Sequence, residues 1–254
     1  MLSFHIIFKF NCRYLVSCEP HEGRHTGILV AKKLDEIIDT LELPEISKAL
    51  TTDNASNMKV AGKESAHIEK HIGCVDHSLN LVVNAGLKSV KEIQSAVENF
   101  KKLVTSSHKS SLYCETIKRF CGNLNDSGVP VNYTKMIQPV ETRWNSTLMM
   151  IRSVTQLRLA LEAIKDSTHK STDSRLQALI PEAEDFELME AITPILTKFE
   201  AVSESLSGET YPTICLVILK LFFLQTSLVK EVQANQGPGG VLIRFVSLIM
   251  TDCN

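Results

Sequence analysis

No two cysteines in this sequence are spaced CxxC, and the seven present, at 12, 18, 74, 114, 121, 215 and 253, are odd in number and scattered. That argues against a disulfide framework and fits a reducing compartment. The first ten residues also make a poor secretory leader. MLSFHIIFKF opens apolar, but His5 and Lys9 interrupt it and no small-residue cleavage site follows. No run reaches the ~20 apolar residues that a membrane span needs. The most apolar stretch, TICLVILKLFFL at 213–224, is shorter and holds Lys220, so it predicts a buried helix. Nor is there an excess of positive charge: the formal net charge is −2 and the pI is near 6.5. Bulk attraction to nucleic acid is therefore not visible, and any such contact has to come from a local patch. Repeats and low-complexity tracts are absent, and tryptophan occurs once. What remains is ordinary globular composition, 254 residues with 44% hydrophobic and 22% charged, enough for one large core or two modest domains. The expectation is a soluble cytosolic or nuclear protein with no membrane partner.

The apolar residues are periodic, and the period changes once. Phe4, Ile6, Phe8 and Phe10 alternate with Ser3, His5, Ile7 and Lys9, which predicts a half-buried strand over 3–10. RYLVSC at 13–18 predicts a second strand after the short connection Asn11–Cys12. Val30, Leu34, Ile37, Ile38 and Leu41 recur at helical spacing, with the Thr26 hydroxyl placed to cap and Pro44 just past the end. ISKALTT (46–52) predicts a third strand, and Asn54–His71 reads as a helix that Gly62 weakens. From about residue 77 the spacing is three and four. Leu79, Val82, Val83, Val90, Ile93, Val97, Phe100 and Leu103 come first, with Gly86 a candidate break, then Leu112, Ile117 and Phe120. One stripe runs from Trp144 through Leu148, Ile151, Val154, Leu157, Leu161 and Ile164. Another runs from Phe186 to Leu206, with Pro194 as a kink or a fresh start. Residues 121–133, 167–174 and 236–240 read as loops. The fold class that follows is α/β plus all-α: a small mixed sheet within residues 1–76, helices over 77–235, and a tail at 236–254.

Chemistry-bearing residues cluster in three stretches. TTDNASNM (51–58) puts Asp53 at the carboxyl end of a strand, where open α/β sheets bind ligands. Asp followed by Asn is ordinary for an Asx-turn or a helix N-cap. Phosphoryl transfer uses the same carboxylate differently, with two or three carboxylates converging on two Mg²⁺ ions about 3.5–4 Å apart. GCVDHSLN (73–80) spaces Cys74 and His77 as CxxH. A structural zinc needs four ligands and no partner pair is evident; HIEKH (67–71) lacks the glutamate position of HExxH, so no metal site is assigned. The plainer reading makes Cys74 a small core residue and His77 a hydrogen-bonding residue at a helix start. ETRWNSTLMMI (141–151) holds the tryptophan. Trp144 reads as a core anchor, with Asn145 or Ser146 capping its helix. Arg143 is of the kind that reaches a phosphate or stacks on a base. Lys101, Lys102, His108, Lys109, Lys118 and Arg119 gather in the helices between, either as a local nucleic-acid-binding patch or as a solvated helix face.

In this order the three stretches, with HTGILVAKKLDEIIDTLEL before them and SGETYPTICLVILKL after, resemble the hAT transposase superfamily. Within it they are most similar to the domesticated transposase-like proteins that carry an N-terminal BED zinc finger. The resemblance runs over approximately residues 1–230. It implies an RNase H-like core with a large helical insertion. In intact members it also implies a two-metal Asp-Asp-Glu site that cuts and joins DNA with Mg²⁺. By resemblance Asp53 matches the second catalytic Asp, at the end of the fourth core strand. Cys74 and His77 match the CxxH motif at the end of the fifth, and Arg143 and Trp144 match an Arg-Trp motif that lies near the DNA.

Parts of the family pattern are unmatched. The first catalytic Asp belongs on a strand ahead of LSFHIIFKF, and no Glu here matches the third catalytic residue. Neither the BED finger nor the C-terminal dimerisation segment is matched, and VLIRFVSLIMTDCN (241–254) departs from the family. The resemblance thus implies a partial RNase H-like mixed sheet lacking its first strand, followed by the helical insertion domain. It leaves one carboxylate of three, no cofactor held by this chain, and a nuclear or otherwise cytoplasmic location. Function then reduces to weak DNA binding or protein binding through the helical part. The competing readings are a piece of an active transposase completed by further chain, and a reading frame with no selected function.

Overall fold

Residues 2–7, 13–19, 26–42, 48–140, 143–168, 173–207, 216–234 and 240–252 are described by the structure, a computed structural model. Strands β1 (Leu2–Ile7) and β2 (Arg13–Glu19) pair antiparallel, with Leu2 opposite Glu19 and Ile7 opposite Arg13. The register shifts between Phe4 and His5, which face Ser17 and Leu15, so Val16 is an extra residue in β2. Residues 8–10 of the expected first strand, its connection through Asn11 and Cys12, and Pro44 lie outside the described residues.

Helix α1 (Gly27–Thr40) follows, then β3 (Ala49–Thr52), α2 (Ser56–Glu64) and β4 (Lys70–Gly73). Thr26 occupies the N-cap of α1 with an extended backbone, but its hydroxyl makes no capping bond; its carbonyl accepts from Val30 N–H at 3.1 Å. The helix expected over Asn54–His71 is shorter than its sequence suggested. Its last residues instead form β4, which pairs parallel with β3, with Ala49 opposite Lys70 and Thr52 opposite Gly73. Gly62 is where the two elements meet: a Cβ there would lie 2.8 Å from the Cβ of His71, so α2 approaches β4 only because the side chain is missing. His67 and His71 accordingly do not share a helix face. His67 pairs with Asp39 at 2.8 Å, and Asp35 accepts from the Ser65 hydroxyl at 2.5 Å and the Ala66 N–H at 3.0 Å. Two carboxylates one turn apart on α1 thus hold the connection that leads into β4. Val30, Ala31 and Ala61, with Met58, form the apolar contact beneath.

Among the described residues the strands form two separate two-stranded sheets, not the single mixed sheet expected. Parallel pairing needs a crossover, and α2 supplies it for β3 and β4. The rest is helical: α3 (Val75–Ser89), α4 (Lys91–His108), α5 (Ser111–Asp126), α6 (Trp144–Thr155), α7 (Arg158–Lys165), α8 (Ser174–Leu179), α9 (Ala183–Leu206), α10 (Val217–Ala234) and α11 (Val241–Asp252). The chain divides into two compact units, one of Met1–Leu79 and Val202–Leu221, the other of Asn80–Ala201 and Phe222–Asn254. The core of the second contains Phe100, Leu103, Ile117, Trp144, Leu148, Ile151, Phe186 and Phe199, each fully buried or nearly so.

Several expectations change in this part. Gly86 does not break α3, and Pro194 sits inside a continuous α9. The stripe from Trp144 to Ile164 is one face but two helices, parted at Gln156 and Leu157. The expected loop at 121–133 begins only after Asp126, since α5 buries Cys121; the helix closes with Gly128 N–H on Asn125 and Val129 N–H on Leu124. The apolar run at 213–224, taken as a buried helix, is mostly exposed where it is described. Ile218, Phe222 and Phe223 are 83%, 61% and 58% exposed, while Leu224 and Leu228 are buried. A continuous apolar run distributes side chains all round a helix, and one face is all that packing covers. Among the described residues no helix is long and apolar enough to cross a membrane.

Candidate functional site

The carboxyl ends of β3 and β4 come together because the strands are parallel and in register. Thr52 is opposite Gly73, and Cys74 N–H donates to the Thr52 carbonyl at 2.7 Å. Asp53 and Cys74 therefore leave neighbouring strands side by side. Asp53 is exposed, and its Oδ1 accepts from Ala55 N–H at 3.3 Å, the geometry of an Asx-turn. Asn54 turns the other way and donates from Nδ2 to Ser78 Oγ at 2.9 Å. Ser78 in turn donates to the Cys74 carbonyl at 3.1 Å, closing the first turn of α3. A Cβ on Gly73 would sit 2.2 Å from Asn54 Oδ1, so a larger residue there would have to displace the Asn54 side chain. Thr52 Oγ1 donates to the Asp53 carbonyl at 2.8 Å, which leaves His71 Nε2, 2.7 Å away, as the donor to Thr52. His77 is half-buried in the same first turn of α3, and Asp76 accepts from the Ser203 hydroxyl. The half-buried Cys74 is a free thiol. Asp53 is thus the exposed carboxylate of these strand ends. Among the described residues no three His, Cys, Asp or Glu side chains converge as metal ligands would.

Arg143 and Trp144 belong to the second unit. Trp144 is 2% exposed and meets the ring of Phe199 edge-on, centroids 6.4 Å apart. Arg143, the N-cap residue of α6, is exposed. Ser146, not Asn145, carries the local hydrogen bonding: its hydroxyl accepts from Val140 N–H at 2.8 Å and donates to the Arg143 carbonyl at 2.6 Å. Asn145 Oδ1 is buried without a partner. The segment leading up to α6 is stitched down along its length. Asn125 holds Val131 through both backbone groups, at 2.8 and 2.9 Å, and Ile137 N–H donates to Ser153 Oγ at 3.0 Å. His108 Nε2 reaches the Met136 carbonyl at 2.7 Å, so that nitrogen carries the proton. Lys102, Lys109, Lys118 and Arg119 are exposed on α4 and α5, with Lys118 5.1 Å from the centre of the Tyr133 ring; Lys101 is half-buried and not free. Burial first, then the neighbouring Cys114 thiol, pushes the Tyr133 hydroxyl up, so Lys118 faces a neutral phenol.

Residues 72–195 match the ZBED1 RNase-like helical domain. The chain is 29% identical over 206 residues to the "Putative AC transposase" of Zea mays, covering 76% of this chain and 24% of that protein. It is also 29% identical over 160 residues, 58% of this chain, to the "Putative AC9 transposase" of the same organism, and 24% identical over 158 residues, 62% of this chain, to the human "Zinc finger BED domain-containing protein 4". The chain is similar to hAT-derived, transposase-like proteins. It spans 24%, 18% and 12% of the length of these three relatives.

The matched helical domain contains Cys74, His77, the α4–α5 lysines, Arg143 and Trp144, and it begins after Asp53. Within the second unit the cations are unevenly paired. Arg152 meets Glu200 at 2.8 Å, Arg158 meets Glu162 and Glu190 at 2.7 and 2.8 Å, Lys165 meets Glu182 at 2.7 Å, Lys198 meets Glu231 at 2.6 Å, and Arg244 meets Glu92 at 2.7 Å. The Glu162 and Glu190 carboxylates raise the Arg158 value still further. Among the described residues Lys102, Lys109, Lys118, Arg119 and Arg143 have no carboxylate partner. Asn80 and Asn54 are the positioning side chains that sequence reasoning missed. Their partners lie 64 and 24 residues away, beyond the reach of any local spacing.

Proposed function

We propose that this chain is a transposase-derived module that binds the DNA backbone through its helical part and does not cut DNA by itself. The observation that carries this reading is the charge pairing. Among the described residues the basic side chains of α6, α7, α9 and α11 are neutralised by carboxylates, while Lys102, Lys109, Lys118, Arg119 and Arg143, like Lys88, Lys91, Lys135, Arg175 and Lys230, are exposed without a carboxylate partner. Unpaired cations release counterions when they meet phosphates, which is the sequence-independent part of DNA affinity. The non-catalytic reading draws on Asp53, an exposed carboxylate committed to an Asx-turn on which, among the described residues, no two further carboxylates converge. The β3–α2–β4 unit is read as the remnant of an RNase H-like core within residues 1–76, residues 77–235 as the insertion domain, and 236–254 as a divergent tail. The location proposed is nuclear, with protein partners the alternative occupants of the helical surface.

The test has two arms. Labelled duplex is titrated against the full chain and a Lys102→Glu, Lys109→Glu variant; binding is expected to weaken in the variant, and unaltered binding removes this surface. Separately, supercoiled DNA is incubated with the chain and Mg²⁺ or Mn²⁺. No nicking is expected; metal-dependent nicking that Asp53→Asn abolishes would falsify the non-catalytic reading.

A further inference from the structure

The first turn of α6 has N–H groups with no intrahelical acceptor, as every helix does. Its N-cap residue, Arg143, has no side-chain oxygen to offer and makes no cap bond. The Ser146 hydroxyl is turned back to Val140 and Arg143. The acceptor for Trp144 N–H comes from elsewhere in the chain: Asn80 Oδ1 on α3, at 3.2 Å. One turn further along α3, Asn84 Nδ2 donates to the same oxygen at 3.2 Å, which fixes the Asn80 amide with its oxygen toward α6. The backbone of Trp144 is therefore held by Asn80 while its ring is held edge-on by Phe199. Arg143 is the residue immediately before this double anchor, and its side chain is exposed.

We infer that Asn80 is a positioning residue: it caps α6 from α3 and thereby fixes the point from which Arg143 projects. The inference rests on the reading of Arg143 as a phosphate contact, and it adds a residue that CVDHSLN carries for a reason other than its cysteine and histidine. A side-chain oxygen at position 80 is what the cap needs. Asn80→Asp keeps it, and adds a negative charge that a helix N-terminus favours. Asn80→Ala removes it and leaves the Trp144 N–H without its partner.

The experiment uses the full chain as parent, Asn80→Ala, Asn80→Asp, Arg143→Ala and the Asn80→Ala, Arg143→Ala double variant. Amide hydrogen exchange at Trp144 reports the cap, and the emission of this lone tryptophan reports whether each variant keeps its core. Protection of the Trp144 amide is expected to be lost in Asn80→Ala and kept in Asn80→Asp. Duplex affinity is expected to fall roughly two- to tenfold in Asn80→Ala, the size of one hydrogen bond's net contribution. In the Arg143→Ala background Asn80→Ala is expected to cause no further loss, because it acts through Arg143. Unchanged protection in Asn80→Ala overturns the inference whatever the DNA result. An additive loss in the double variant also overturns it, because Asn80 then supports the fold without positioning Arg143. A parent that binds no duplex, with protection still following the oxygen at position 80, sinks the phosphate reading and leaves the cap supported. Should Asn80→Ala fail to fold, Asn80→Asp decides alone: lost protection there overturns the cap.

Discussion

At the scale of single residues, two side chains show how differently sequence reports on structure. Trp144 was legible: a lone large aromatic at the head of a helical stripe belongs in a core, and it is 2% exposed. Trp144→Ala is expected to destabilise by roughly 3–5 kcal/mol, the range for large aromatic truncations in cores, as read by a denaturant or thermal melt. An unchanged melt would mean that the ring does not pack on Phe199. Gly73 was not legible, because its reason lies in a neighbour brought up by the fold. Asn54 Oδ1 occupies the place of its Cβ. Gly73→Ala is expected to cost about 1–3 kcal/mol by overpacking, and to cost less when Asn54 is already alanine. An equal cost in both backgrounds would locate the strain elsewhere. Asp53 stood between two readings in the sequence, and locally the turn accounts for its geometry: Oδ1 accepts from Ala55 N–H two residues on.

Elements were legible where burial is periodic and long. The face running from Trp144 to Ile164 and the face from Phe186 to Leu206 are both buried as spaced. β4 escaped because KHIG is four residues with one strongly apolar side chain, too short to show a period of two; its existence depends on the partner edge of β3. α10 misled for the opposite reason, since an apolar run without a period does not say which face is covered. α11 buries Leu242, Phe245 and Val246, and Arg244 reaches Glu92 of α4 at 2.7 Å. The hydrogen bond from Arg244 holds the Glu92 carboxyl below its ordinary value near 4.5. A carboxyl depressed in the folded state stabilises it above the unfolded value, and that contribution fades as pH falls from about 4.5 through the folded value. Arg244→Gln is therefore expected to melt slightly below the parent at about pH 7 and to match it once the pH falls below the folded value, with salt narrowing the gap because both groups are exposed. A gap that persists in acid would mean that the Arg244 stem contributes by packing.

Across the whole molecule the net charge of −2 was readable from composition, but its distribution was not. Arg152 finds Glu200, 48 residues on, and Arg244 finds Glu92, 152 residues back, so the fold alone decides which cations are neutralised. Among the described residues, the exposed cations of the second unit without a carboxylate partner include Lys102, Lys109, Lys118, Arg119 and Arg143. With no net attraction at long range, the proposed binding to duplex DNA would depend on short-range phosphate contacts and be strongly screened. If all five side chains engage, the slope of log affinity against log salt is at most about −4.5, each phosphate contact contributing about −0.9. Lys102→Gln with Lys109→Gln, which removes charge without adding repulsion, is expected to flatten the slope by about 1.8. The same change made at Lys165 and Lys198, whose charges are already spent on Glu182 and Glu231, is expected to leave the slope where it was. Titrating duplex at four or more salt concentrations separates these outcomes. Equal flattening by both pairs would show that affinity follows total charge and not the unpaired set, and would remove the α4–α5 surface from the account.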